Sequence, residues 1–243
     1  MTEDVIYNAI DFAKQYFLLR KKEGRVYSDN EVASLPEIDK GHKHYHEWQV
    51  RKGTSSRLVK YLFNKKKGLE ILEAGCGNGW LSAKLAAIPF SQVTGIDINT
   101  EELNQGKKVF HQIENIEFFS RSLQDEMLND HKFDIVLFAA SIQYSSSLEK
   151  VLTDVLERLK PGGEIHIMDS HFYKENDIDA ARMRSDDYYL AIGFPEMSDQ
   201  YFHHSLQELK LFSYDILYNP NSIINKLKKN KSPFYWICIR NNA

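Results

Sequence analysis

ILEAGCGNGW, residues 71–80, runs from an apolar strand into glycines at every second position and then into a helix. Glycine is required where a chain turns sharply and where backbone must approach a ligand with no Cβ in the way. A helix opening near Gly79 directs its free amide groups, with their partial positive charge, at whatever lies over the loop. Downstream, VTGIDI (93–98) reads as a second strand with Asp97 at its tip. A carboxylate there is placed to accept hydrogen bonds from both ribose hydroxyls of an adenosine. The spacing also separates cofactor classes. A dinucleotide fingerprint, Gly-x-Gly-x-x-Gly, needs glycine where this chain has Trp80, and a Walker loop needs a Gly-Lys-Ser/Thr that is absent.

Outward from this loop, the apolar runs 69–72, 93–98, 116–119, 133–138 and 164–168 alternate with the helical patterns 81–88, 101–112 and 148–159. That alternation predicts right-handed βαβ units and a mostly parallel sheet. Pro161-Gly162-Gly163 predicts a turn that ends one helix and starts the next strand. Two last strands are predicted at 211–218 and 233–240, joined by a linker too short for a helical crossover, so they pair antiparallel. Residues 1–64 read as an N-terminal helical cap. One helix is marked by Val5, Ile6, Ala9, Ile10, Ala13, Phe17 and Leu18, and a second runs through Trp48, Leu58 and Leu62. Residues 65–243 form the main domain. Within it, 170–205 is too long for an ordinary connection and is expected to act as a lid-like insertion.

EAGCGNGW, VTGIDIN, FDIVLFAASIQY and LKPGGEIHIMD, in that order over residues 69–170, together resemble the class I S-adenosylmethionine-dependent methyltransferases of the small-molecule type with an N-terminal helical cap. The resemblance implies an α/β fold, a doubly wound, mostly parallel, Rossmann-like sheet of seven strands, with S-adenosylmethionine as cofactor. It places Gly75, Gly77 and Gly79 against the methionine end of the donor, with Glu73 near its ammonium group. Asp97 would hold the ribose and Ile98 would pack on the adenine, while Ser122 and Leu123 would lie at the adenine edge. Ala139 and Ala140 would face the sulfonium. One departure stands out: the family often carries an aspartate after the third strand, and this chain reads FFSRSLQDE (118–126), with Arg121 near that spot.

Other residues carry two readings each. Trp48 and Arg51 suit a cap that stacks on the donor and pairs its carboxylate, or a core tryptophan beside a surface charge. Tyr144 and His171 follow the fourth and fifth strands, at the carboxyl edge where ligands of this fold bind. They are the acceptor-binding candidates, and His171 is the candidate base. His42, His44 and His46 alternate, but no carboxylate completes a set, so no metal is expected. The aromatic segment 188–204 suits a lid over an apolar acceptor or helices packed on the sheet, and KLKKNK (226–231) is a small basic patch.

Composition excludes several classes. In 243 residues, Lys+Arg 31 against Asp+Glu 34 gives a net charge of −3, without the positive field of a chain that grips phosphate backbones. Two distant cysteines form neither a disulfide framework nor a zinc site. The acidic start is unlike a secretory signal, and the apolar run 135–142 falls short of the roughly 20 residues a bilayer span needs. The expectation is a cytoplasmic enzyme, off the membrane, that methylates an O, N, S or C nucleophile of a small molecule. The rivals are a methyltransferase acting on RNA or protein, a nicotinamide-dependent oxidoreductase, and a cofactor-binding protein without turnover.

Overall fold

The computed structural model describes residues 3–125, 128, 131–226 and 231–241, with backbone alone for 3–10. Residues 227–230, most of the basic patch, lie outside that set. Three helices precede the sheet: α1 (Glu3–Lys22), α2 (Asp29–Ser34) and α3 (Tyr45–Phe63). The short α2 was not expected, although its signature is present. The Ser28 hydroxyl accepts from the Glu31 amide at 3.3 Å, and the Glu31 carboxylate accepts from the Ser28 amide at 2.8 Å, a reciprocal cap over Ser-x-x-Glu spacing.

The strands are β1 (Glu70–Ala74), β2 (Gln92–Asp97), β3 (Ile116–Ser120), β4 (Phe133–Ala139), β5 (Leu159–Met168), β6 (Tyr214–Tyr218) and β7 (Trp236–Arg240). They form one seven-stranded sheet in the order β3-β2-β1-β4-β5-β7-β6. Strands β1 to β5 are parallel, and β7 runs antiparallel between β5 and β6. After β3 the chain crosses back to the far side of β1, so the connections that leave the carboxyl ends of β1 and β4 lead in opposite directions along the sheet. An open α/β sheet binds ligands in the crevice at such a reversal.

Alternate residues along each strand feed two cores. Leu72, Val136, Phe138, Ile165 and Ile167 pack under α6 (Leu148–Leu156), whose Val151, Leu152 and Val155 are buried with them. Ile71, Ile135 and Leu137 face the other way, onto Leu58 and Leu62 of α3 and Leu81 and Leu85 of α4 (Trp80–Ala86). Burial on both faces explains why these strands read as unbroken apolar runs. The fifth helix, α5 (Thr100–Val109), joins β2 to β3 and buries Leu103 against Cys76 and Phe118.

Three strand starts differ from the sequence reading by more than a residue, those of β5, β6 and β7, the last of which begins at Trp236 and not at 233. β5 begins at Leu159, because Pro161, Gly162 and Gly163 are taken up in an irregularity. Phe133 pairs with Leu159 and Ile135 with Glu164, so five steps on β5 oppose two on β4. A bulge is where a sheet tolerates proline. β6 begins at Tyr214, because residues 206–211 coil into a short 3-10 helix under a second reciprocal cap between Ser205 and Glu208. The long connection after β5 carries α7 (Ile178–Ile192), and the link before β7 holds only the four-residue α8 (Ile223–Lys226). Tyr189, Met197 and Leu19 share a separate small core with Phe12, Tyr16 and Tyr201, so α1 and the 170–205 segment pack on each other.

Candidate active site

Gly75, Gly77 and Gly79 all have left-handed backbone, with φ of 75°, 54° and 72°. Their roles diverge. A Cβ on Gly75 would stand 2.5 Å from the Ser141 Cβ, and one on Gly79 would stand 2.3 Å from the Phe118 ring, so both are excluded by packing. A Cβ on Gly77 meets only Glu102, at an ordinary 3.5 Å. Gly77 instead donates its amide to Asp97 Oδ2 at 2.7 Å, and Asn99 donates to Oδ1 at 2.8 Å. The loop thus helps to aim the carboxylate at the tip of β2.

A cavity of about 570 Å³ opens at the carboxyl ends of β1, β2 and β4. Gly75, Asp97, Ile98, Ser122, Leu123 and Tyr144 line it, which brings six of the expected site residues together. Of the alanine pair after β4, Ala140 lines the cavity, and Ala139 turns to the opposite face with the α3–α4 core. Ala140 and Asp169 both carry left-handed backbone, at φ 57° and 55°. With Gly75, this puts unusual conformations at the ends of three adjacent strands, the pattern typical of functional edges. The Ser122 hydroxyl is buried with no hydrogen-bond partner among the described residues. Asp125, too far along for the family's aspartate position, is held by Arg121 at 2.7 Å.

Burial holds the carboxylates near this edge above their ordinary range. Burial pushes Glu73 up to about 8 against a 2.5 Å hydrogen bond from Ser82, and the Asp97 charge adds to the rise. Glu102 is pushed up to about 7 by burial, with Arg20 opposing. Asp97 and Asp169 are raised by the same cause, and Asp169 Oδ1 has no hydrogen-bond partner among the described residues. Buried carboxylates resist ionisation until a positive partner arrives. A ligand bearing an ammonium and a sulfonium supplies that charge, while Asp97 suits its ribose and Ser122 its purine edge. The residues present fit S-adenosylmethionine.

The structure corrects several placements. Trp48 lies in the core, its indole N–H donating to the Tyr27 hydroxyl at 2.8 Å and its ring edge-on to Trp80 at 5.2 Å. Trp80, the residue that breaks the dinucleotide fingerprint, is thus a core partner of Trp48. Arg51 lies beside the carboxylates, over the Trp48 ring at 5.4 Å and bonded to Glu47 at 3.2 Å, and its charge is felt at Glu73 and Asp169. His171 is exposed and does not line the cavity; its imidazole sits edge-on to Phe234, the ring centres 4.6 Å apart. His44 caps α3 and sits 3.0 Å from the Glu23 carbonyl, while His42 accepts from the His44 amide. Among the described residues, the trio with metal-ligand spacing is Glu164, His166 and Cys238. Its members are already engaged: Lys65 and Tyr61 hold Glu164, and Trp236 and Glu164 hold His166.

Sequence reasoning missed the α1 wall. Phe12 and Tyr16 line the cavity, with Arg20 one turn further on. Their spacing of four is a helical signal, and Ala13 of the apolar pattern over residues 5–18 lines the cavity beside them.

The strand order, the glycine loop and the carboxylate at the tip of β2 define a doubly wound, class I S-adenosylmethionine-dependent methyltransferase. The chain belongs to the methyltransferase domain family, whose model matches residues 65–239. It is 24% identical over 178 residues to a sterol 24-C-methyltransferase of Gibberella zeae, covering 70% of this chain and 45% of that protein. It is 34% identical over 98 residues to a fatty-acid O-methyltransferase of Mycolicibacterium smegmatis, covering 40% and 35%. The chain thus spans less than half the length of these relatives. The fold matches magnesium protoporphyrin IX methyltransferase of Synechocystis PCC 6803, with bound S-adenosylhomocysteine, at a TM-score of 0.58 and 14% identity, covering 84% of this chain and 89% of that one. Among the described residues, no helix is long and apolar enough to cross a membrane.

Proposed function

We propose that the protein transfers the methyl group of S-adenosylmethionine to a nucleophilic O, N, S or C atom of a small molecule. The carrying observation is that donor-type residues, Gly75, Asp97 and Ser122, and the aromatic pair Tyr16 and Tyr144 line one and the same cavity. Asp97 accepts from the ribose hydroxyls, Ile98 and Leu123 flank the adenine, and Ser122 meets its edge. Glu73 faces the ammonium and Arg51 the carboxylate. When bound, the donor supplies an electrophilic methyl carbon on sulfur. The chain holds donor and acceptor in line and keeps water out, the largest contributions available to a displacement of this kind. Residues 1–64 act as the cap and 170–205 as the lid, which the shared packing of Leu19, Tyr189 and Met197 supports. Two free, buried cysteines, Cys76 and Cys238, agree with a reducing cytoplasmic setting.

The test is partition of label. Purified protein is incubated with methyl-labelled S-adenosylmethionine and a whole-cell extract, which is then split into small-molecule, RNA and protein fractions. Label in the small-molecule fraction, absent with Asp97→Ala, supports the reading. Label confined to RNA or protein moves the acceptor to a macromolecule.

A further inference from the structure

Two polar groups that line the cavity, on Tyr16 and Tyr144, and a third just outside the lining, on Arg20, are left unused by the donor. Phe12, Tyr16 and Arg20 project from one face of α1 at successive turns. The Tyr16 and Tyr144 rings meet edge to face at 5.5 Å, and Phe12 closes on Tyr144 at 5.6 Å. Both tyrosines line the cavity, and neither hydroxyl has a hydrogen-bond partner among the described residues. The Arg20 guanidinium stands 5.7 Å from the centre of the Tyr16 ring, and its charge acts on both tyrosines. Its Nε is buried with no hydrogen-bond partner among the described residues, and Nη1 is 3.6 Å from the Glu23 carboxylate, beyond hydrogen-bond range.

A buried guanidinium donor left unpaired is costly, and the partner that best matches its planar fork is a carboxylate. The choice of nucleophile points the same way. Among the described residues no histidine lines the cavity, and Asp97 is committed to Gly77 and Asn99. Burial holds Tyr16 and Tyr144 further from ionisation than an ordinary phenol. Among the described residues that line the cavity there is no histidine or glutamate to take a proton from an alcohol or an ammonium, whereas a carboxylate arrives already ionised at neutral pH.

We propose that Arg20, Tyr16 and Tyr144 form an acceptor site for a carboxylic acid with an apolar body, which leaves as its methyl ester. The assignment rests on the methyl-transfer reading above. The Arg20 fork spans both carboxylate oxygens, the two hydroxyls donate to one of them, and the other keeps a free lone pair toward the donor. That oxygen forms the new bond to the methyl carbon with its own electron pair. The carbon–sulfur bond breaks with its pair passing to sulfur, and no proton moves. Phe12 and the tyrosine rings receive the apolar body.

The test is calorimetric and uses protein loaded with S-adenosylhomocysteine, titrated with octanoate and with 1-octanol. A hydrogen-bonded charge is typically worth about 1.5–3 kcal/mol, so octanoate is expected to bind about 10–100 times more tightly than the alcohol. Arg20→Gln should erase the preference and leave S-adenosylhomocysteine affinity unchanged, and Arg20→Lys, which keeps the charge and loses the fork, should retain part of it. Equal binding of the two probes by the parent overturns the assignment. A loss of S-adenosylhomocysteine affinity in Arg20→Gln also overturns it, because the arginine then serves the donor. Failure of the parent to bind S-adenosylhomocysteine at all would strike the methyl-transfer reading itself, a result separable from the other two.

Discussion

The amide of Gly77 donates to Oδ2 of Asp97 at 2.7 Å and so joins two stretches of sequence twenty residues apart into one binding element. The glycine loop sets the direction of the carboxylate proposed to receive the ribose. Asn99 fixes the other oxygen at 2.8 Å, so the group is oriented before any ligand arrives.

Asp97→Ala is expected to weaken S-adenosylhomocysteine binding by about 10–100-fold, the range set by hydrogen bonds to a charged acceptor. Circular dichroism should show the fold retained, since a raised, buried carboxylate is no net source of stability. Calorimetry decides it, and unchanged affinity would remove the ribose assignment.

The glycines should separate by what a side chain would meet. Gly79→Ala forces a Cβ onto the Phe118 ring at 2.3 Å with φ at 72° and should cost about 2 kcal/mol or more in urea unfolding. Gly77→Ala faces open contact with Glu102, and its cost is mainly backbone strain, on the order of 1 kcal/mol. Gly77→Val adds a β-branched side chain at the same φ and should bind S-adenosylhomocysteine poorly. Equal stability of the two alanine variants would contradict the packing role given to Gly79.

Trp48→Ala should act on stability, by roughly 3–5 kcal/mol for a buried tryptophan, because the indole fills the interface between α3 and α4. His171→Ala should leave turnover near that of the parent, whereas Tyr144→Phe should lower it. Turnover that collapses with His171→Ala and survives Tyr144→Phe would return the histidine to the site.

The buried carboxylates make the ligand-free protein sensitive to pH. Glu73 titrates near 4.5 when unfolded and near 8 when folded. Between those values the folded state keeps a proton that the unfolded state has released, so stability falls as pH rises and levels off above about 8. Glu102, pushed up to about 7, acts in the same direction. His166 and His203, lowered by burial, act in the opposite direction below their ordinary value of 6.5, so the clean window is pH 6.5–8. There the Tm of the free protein should drop with rising pH, and Glu73→Gln should flatten the slope. S-adenosylmethionine, a cation at these groups, should bind more tightly at pH 8 than at 6.5. A flat Tm in the parent would show that the carboxylates are not held protonated.

Much of the fold was legible because parallel strands buried on both faces must read as apolar runs, and the glycine loop punctuates them. The reversed last pair followed from the length of a linker. The first strand of the bulge at Pro161 was hidden, since a turn signal and a bulge use the same residues. In the site, Gly75, Asp97, Ile98, Ser122, Leu123 and Tyr144 were reachable because each follows a strand end in sequence. Tyr16 and Arg20 were not, because only tertiary packing brings a distant helix over the sheet edge. Trp48 and His171 carried the right chemistry, but the first packs on Trp80 and the second on Phe234, contacts that one-dimensional spacing does not encode.

Hydrogen exchange with and without S-adenosylhomocysteine tests the central claim most directly, because it reads the donor loop and its cover at once. Added ligand should slow exchange at 74–79, 96–99 and 121–124, and also along residues 11–22 of α1 and in 170–205, where lids gain order on closing. If protection rises at the loop and at Asp97 while α1 and 170–205 do not respond, the acceptor does not sit under a cover. If none of these segments responds, the cavity is not the donor site.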